Sequence, residues 1–238
     1  MALPKIEHPI FTLELISTGE KIKYRPFTVK EEKIILIAQM SRDMDQIISA
    51  IKQVITNCVM EENFDVEKVA TFDVEYLFIN LRAKSVNNMV SIYLTDNEDE
   101  KSYNFEINLD DVKIVRNPKH TNKFTLYNDV GIIMRYPPFD SAVKVMNQEE
   151  KKDAITAILE MIGRCIDKVY KGDDLYIAGK DFNLEEAVEF ITDSPVESID
   201  ILKEFFDTFP SIEHEIHYKN SLGNERSYKL TGISDFFT

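Results

Sequence analysis

The chain is poor in several things, and each shortage closes a class of function. It has only seven glycines in 238 residues. None of them forms a GxGxxG run or the GxxxxGK loop that cradles phosphate, so no nucleotide site is expected. No GxSxG elbow and no HExxH helix occurs, which leaves the common hydrolase and metalloprotease patterns unrepresented. Positive charge is short: 28 Lys and Arg face 42 Asp and Glu, for a net charge of −14. Such a chain repels nucleic-acid phosphate, and no basic patch with interleaved aromatics offsets this. No apolar run approaches the ~18 residues that a membrane span needs. The opening MALPKIEHPIF lacks the charged and apolar segments of a secretory signal. The two cysteines, Cys58 and Cys165, are far apart on apolar helix stripes, where cysteine behaves as a small hydrophobe.

What the chain does have is ordinary globular material. Apolar residues make up 44% and charged residues 29%, and no linker composition interrupts them. Phe11 to Ile16 alternates, Ser17-Thr18-Gly19-Glu20 turns, and Lys21 to Tyr24 returns, giving a hairpin that Pro26 ends. Thr28 and Glu31 then form a capping box for a helix running to about Met40. That helix is apolar round most of its circumference (Ile34, Ile35, Leu36, Ile37, Ala38, Met40), so it is expected to be buried on more than one side. Ser41 or Asp43 caps a second, amphipathic helix to Cys58. A third runs from about Phe72 to Lys84, burying Val74, Leu77, Phe78 and Leu81.

At Val86 the period changes to two. Met89–Thr95 and Ser102–Leu109 read as strands about an acidic turn, followed by Val112–Val115, Phe124–Tyr127 and Gly131–Tyr136. After Pro138 the pattern is helical: Asp140–Met146, then a long helix from Glu149 to Lys171. An extended Leu175–Ala178, helices over Leu184–Thr192 and Val196–Phe209, and a closing hairpin of Ile212–Tyr218 with Ser227–Leu230 complete the chain. The expected fold class is α+β: helices at both ends, a central antiparallel β-meander and short terminal hairpins. The expected organisation is one unit over 1–238, with sub-regions 1–86, 87–138 and 139–238.

Few residues stand out as candidate sites. With 42 carboxylates, any Asp–Glu pair carries little information about catalysis. His214 and His217 lie three apart in a strand, which points their side chains to opposite faces, and no cysteine stands near in sequence to complete a metal site. No catalytic, cofactor or metal residue is therefore assigned. Arg82-Ala83-Lys84 is a compact basic group on an acidic chain. At the end of a helix it complements the helix dipole, and it also suits an acidic partner surface. Phe236 and Phe237 sit near the end of the sequence, either tucked into the fold or offered to a partner. Arg82, Lys84, Phe236 and Phe237 are the candidate partner-binding residues.

Several stretches together are similar to a known family: Ser17-Thr18-Gly19-Glu20, the run Lys23 to Lys33 (KYRPFTVKEEK), Asn57-Cys58-Val59, the run Tyr76 to Val86 (YLFINLRAKSV), and Leu230 to Phe237 (LTGISDFF). In this order they resemble the baseplate hub assembly proteins and hub subunits of T-even-like, contractile-tailed bacteriophages. The resemblance implies a non-enzymatic protein that binds hub proteins while the central hub is assembled in the cytoplasm of the infected host. It implies no cofactor, no small-molecule substrate, no nucleic acid and no membrane partner, and leaves self-association open. The alternative it leaves is a structural hub component retained in the virion tail baseplate. Family members often carry a cysteine-containing, zinc-knuckle-like hairpin before the final Gly-x-x-Asp-Phe-Phe. Here the turn is Tyr218 to Gly223, without cysteine, so no metal is implied. That hairpin is expected to be held by its aliphatic and aromatic strand residues alone.

Overall fold

The computed structural model describes residues 6–41, 43–139 and 154–236. In chain order these form β1 (Phe11–Glu14), β2 (Lys21–Tyr24), α1 (Val29–Ser41), α2 (Met44–Cys58), α3 (Thr71–Ser85), β3 (Met89–Thr95), β4 (Ser102–Asn108), β5 (Lys113–Val115), β6 (Lys123–Tyr127) and β7 (Val130–Met134). They continue as α4 (Ala154–Cys165), β8 (Ile166–Lys171), β9 (Asp174–Ile177), α5 (Leu184–Thr192), α6 (Glu197–Asp207), β10 (Ser211–Lys219) and β11 (Glu225–Thr231). The fold is α+β, with every named strand pair antiparallel. The strands of the middle are shared among three sheets. β3 pairs with β4, β5 joins β10 and β11, and β6 and β7 join β8 and β9. The helix expected over Asp140–Met146 lies outside the described residues.

Two compact units result, and their boundaries do not follow consecutive stretches of sequence. Unit 1 comprises Met1–Val66, Phe72–Val115 and Ser211–Thr238; unit 2 comprises Glu67–Thr71 and Arg116–Pro210. In unit 1, Leu13, Ile22, Val54, Ile55, Val74, Leu77 and Leu81 are buried where the β1–β2 hairpin, α2 and α3 supply their apolar faces. A second cluster joins Ile79 of α3 to Ile92, Ile107, Ile212, Ile216, Leu230 and Phe236. Along α3, Phe72, Val74, Leu77, Phe78, Ile79 and Leu81 are all buried.

Unit 2 is a four-stranded sheet of order β6-β7-β8-β9 packed with α4, α5 and α6. Its core includes Phe124, Ile132, Met134, Ile162, Cys165, Ile166, Ile191, Leu202 and Phe205. Here one expectation fails. The helix predicted to run on to Lys171 ends at Cys165, and Ile166–Lys171 is a strand bonded on both sides, to β7 and β9. Ile166 and Val169 fit helical spacing, but β-branched and aromatic residues in IDKVYK also suit a strand. Two neighbouring strands waiting for a partner decide between them. Gly131 shows how tight the sheet is: a Cβ there would collide with the Tyr170 ring and the Phe124 carbonyl.

Candidate partner-binding site

The stretches that read as a family signature bind one another within unit 1. The Arg25 backbone N–H donates to the Cys58 carbonyl at 3.0 Å, and the Met60 N–H to the Lys23 carbonyl at 2.9 Å. The Arg25 guanidinium reaches the Asn57 carbonyl at 3.0 Å and the Glu31 carboxylate at 3.2 Å. Asp73, fully buried, accepts from the backbone N–H groups of Ile16 and Ser17 at 2.5 and 3.1 Å, tying the first hairpin turn to α3. The Phe27 N–H donates to Ser85 Oγ at 2.8 Å. At the start of α1 one half of the expected capping box forms, and the Thr28 hydroxyl caps Lys30 in place of Glu31. Glu31 accepts from the Thr28 N–H at 2.9 Å and hydroxyl at 2.6 Å, while Thr28 Oγ1 accepts from the Lys30 N–H at 3.3 Å. Burial pushes the Glu31 pKa up, but these Thr28 bonds and the Arg25 guanidinium more than offset it, bringing it down to about 2.

From this fixed entry α1 leaves an apolar face in the open, against the expectation of burial on more than one side. Among its residues only Glu31 and Ala38 are buried. Leu36 is 50% exposed, Ile37 56%, Met40 85% and Val29 86%. The helix is apolar enough to be covered on several sides, but unit 1 covers only part of it. Two grooves flank it. One, of about 330 Å³, lies along α2 and is lined by Ile34, Ile37, Ala38 and Ala50 with Asp45 and Gln53. The other, of about 380 Å³, is lined by Glu32, Ile35, Leu36 and Gln39 of α1, Phe78 and Arg82 of α3, Asn87, Met89 to Ser91 of β3, and Phe236.

That second groove brings together two of the four candidate residues. Phe236 is only 2% exposed, so its ring forms part of the groove's inner wall and of the core beneath it. Arg82 lines the rim, half-buried. Its guanidinium donates to the Asn87 carbonyl at 3.5 Å and meets no carboxylate among the described residues. Lys84 does not line the groove; its ammonium pairs with Asp110 at 3.0 Å. Phe237 lies outside the described residues.

A second expectation is corrected at the C-terminal hairpin, which is not held by strand residues alone. The β3–β4 turn presents its acids to the β10–β11 tip. Asp96 accepts from the Tyr218 hydroxyl at 2.5 Å and from Arg226 Nε at 3.0 Å. Glu98 accepts from the side-chain amides of Asn220 and Asn224, both at 2.7 Å. Asp99 accepts from the Ser221 N–H and hydroxyl at 2.9 and 2.8 Å, and from the Tyr103 hydroxyl at 2.5 Å. The Tyr218 bond, the backbone N–H groups of Glu98 and Asp99, and Arg226 hold Asp96 below the usual carboxylate range against its burial. A clasp of ionised side chains and hydrogen bonds thus closes this hairpin.

Elsewhere the chemistry is sparse. Both cysteines are free and buried, and burial pushes Cys58 up to about 11 and Cys165 up to about 12, so both are inert thiols at neutral pH. No group of three or more His, Cys, Asp or Glu placed to hold a metal ion occurs among the described residues. No helix of the described residues is long and apolar enough to cross a membrane. His120 of unit 2 packs against Tyr136 and Phe205, with ring centroids at 5.5 and 5.2 Å and those two rings 5.8 Å from each other, and bonds Thr208 through Nδ1 at 2.8 Å. Burial lowers its pKa.

The arrangement is that of an α+β protein whose open features are an apolar helix face and shallow grooves. The chain belongs to the T4 bacteriophage base plate protein family, whose family model matches residues 8–238. Its place is therefore the phage baseplate, in structure or in assembly, and its expected partners are other baseplate proteins. Comparison with curated proteins and with solved structures finds no match.

Proposed function

We propose that this protein is a non-enzymatic assembly factor that binds proteins of the baseplate's central hub in the cytoplasm of the infected host. The exposed apolar face of α1 carries this reading. Fully burying a large aliphatic side chain is worth about 1.5–3 kcal/mol. A partner covering Leu36, Ile37, Met40 and Val29 would recover a share of that at each position. The acidic character of the chain, −14 overall, keeps copies apart in solution and favours basic partner surfaces. In this reading Arg82 and Phe236 belong to the binding surface through the groove they share. Lys84 contributes to the same face once released from Asp110, and Phe237 is assigned to it from its place beside Phe236 in the sequence.

Co-expression with the hub proteins of the same phage tests the proposal. The expected outcome is a gain in hub-protein solubility and co-purification. No gain and no co-purification would sink it. A structural hub component retained in the virion uses the same surfaces. Mass spectrometry of purified virions separates the two: a stoichiometric copy number favours the structural reading, and absence favours the assembly factor.

A further inference from the structure

The groove between α1 and β3 has one property that the rest of the α1 face lacks, an open strand edge. Met89, Val90 and Ser91 are consecutive in β3 and all line it. Side chains of consecutive strand residues alternate between faces, so a groove lined by three in a row runs along the backbone edge. No residue of β4 lines it. The edge it follows is therefore the one turned away from β4. β3 and β4 form a two-stranded sheet, and β3 has no other strand partner among the described residues. In an antiparallel pair, the N–H and C=O groups of alternate residues point away from the partner strand. On β3 the outward residues beside the groove are Met89 and Ser91. The Met89 N–H is taken by Asn87 Oδ1 at 3.1 Å, while the groups of Ser91 face the groove without a strand partner, beside the side chains of Ile35, Leu36, Phe78 and Phe236. Two opposite charges line the groove, Glu32 of α1 and Arg82 of α3; the Arg82 guanidinium has no carboxylate partner among the described residues and is the groove's one cation.

We propose that this groove takes an extended segment of a partner protein as an added strand on β3. Its inward side chains are apolar and fill the space against Leu36 and Phe78, and it carries an Asp or Glu that pairs with Arg82. Main-chain bonds to β3 supply affinity, while the apolar pocket and the single cation supply selectivity. Exposed strand edges are ordinarily charged, bulged or covered, because they recruit other chains. This edge is instead flanked by an apolar helix face, which suits recruitment. The proposal rests on the reading of the protein as a binder of other baseplate proteins, and it names the form in which a partner is held.

The test is an array of overlapping twelve-residue peptides from the other baseplate proteins of the same phage, probed with the full chain. Bound peptides should alternate apolar and polar residues and contain a carboxylate. Arg82→Glu, and separately Leu36→Asp, should weaken their binding at least tenfold without lowering the thermal midpoint. Should Arg82→Glu unfold the protein, Arg82→Met removes the charge and keeps the length. Two N-methylated forms of the best peptide, blocked at alternate amides in the two registers, should behave differently: one loses binding and the other keeps it. Equal binding by both forms would overturn strand addition, as would an array with no bound peptide or binding indifferent to Arg82. A monomer–dimer equilibrium abolished by Leu36→Asp would reassign the edge to a second copy of the chain and overturn the partner segment. If hub proteins still co-purify when the peptide test fails, only the strand mechanism falls. If co-purification fails as well, the assembly reading falls with it.

Discussion

α1 and α3 are the same kind of sequence with opposite fates. Both are helices of unit 1 with apolar residues on more than one side. α3 buries Phe72, Val74, Leu77, Phe78, Ile79 and Leu81, with Ile79 packed among residues of β3, β4, β10 and β11. α1 buries Ala38 and the capped Glu31, and leaves Leu36, Ile37 and Met40 in solvent. Apolar saturation tells that a helix is meant to be covered; it does not tell by which chain. The helix with its cover in place is scaffold, and the one without it is where a partner is to be sought.

The contrast can be broken most forcefully through α3. Leu77→Ala should cost about 2–5 kcal/mol, as large-to-small changes at closed core sites do, read by urea unfolding. Ile37→Asp on α1 should stay within about 0.5 kcal/mol of wild type by the same measurement, as exposed substitutions do.

The next effect is on the β10–β11 clasp and is read through pH. Asp96 and Asp99 have folded pKa values below the ordinary value of about 3.9. Their contribution is therefore complete above that value and is lost as pH falls through their lower folded values. Asp96→Asn should raise the pH of acid unfolding, and exchange at the β10–β11 amides should be the first to quicken.

Smaller again is the cap on α1. Thr28→Ala should cost about 1 kcal/mol. Glu31 has its folded pKa lowered to about 2, so its contribution is complete above the ordinary glutamate value of about 4.3 and is lost progressively as pH falls from there toward 2. The smallest effect belongs to unit 2. Burial lowers the pKa of His120, so the folded state prefers the neutral ring. Stability from this site is full above about pH 6.5, the unperturbed value, and falls as pH drops below it. His120→Phe should flatten that part of the stability profile, seen as a thermal midpoint that no longer declines between neutral and mildly acidic pH.

Most of the elements were legible because their periods are local properties. The hairpin before Pro26, the Thr28–Glu31 cap, the amphipathic α2 and α5 and the strands of the middle all lie close to where spacing puts them. β8 was not legible: its apolar spacing is shared by helix and strand over a single turn, and only the flanking β7 and β9 settle it. The acid clasp was missed for a related reason. Asp96-Asn97-Glu98-Asp99-Glu100 reads as a solvated turn, and its partners lie about 120 residues further on. The pairing signal was present on both sides, Asp and Glu in one turn and Tyr, Asn, Ser and Arg in the other, but spacing cannot join them. Of the candidate residues, Arg82 stands out in the sequence as a cation on an acidic chain and Phe236 as one of two adjacent phenylalanines. Leu36 and Ile37 read as core in the sequence, because nothing local marks a helix face as uncovered.

The most direct test of the account is the double variant Ile37→Asp/Met40→Asp, co-expressed with the hub proteins of the same phage and also purified alone. The account predicts a thermal midpoint close to that of wild type and loss of co-purification with the hub proteins. A midpoint lowered by many degrees together with undiminished co-purification would contradict it, placing the α1 face inside the protein's own fold and the partner surface elsewhere.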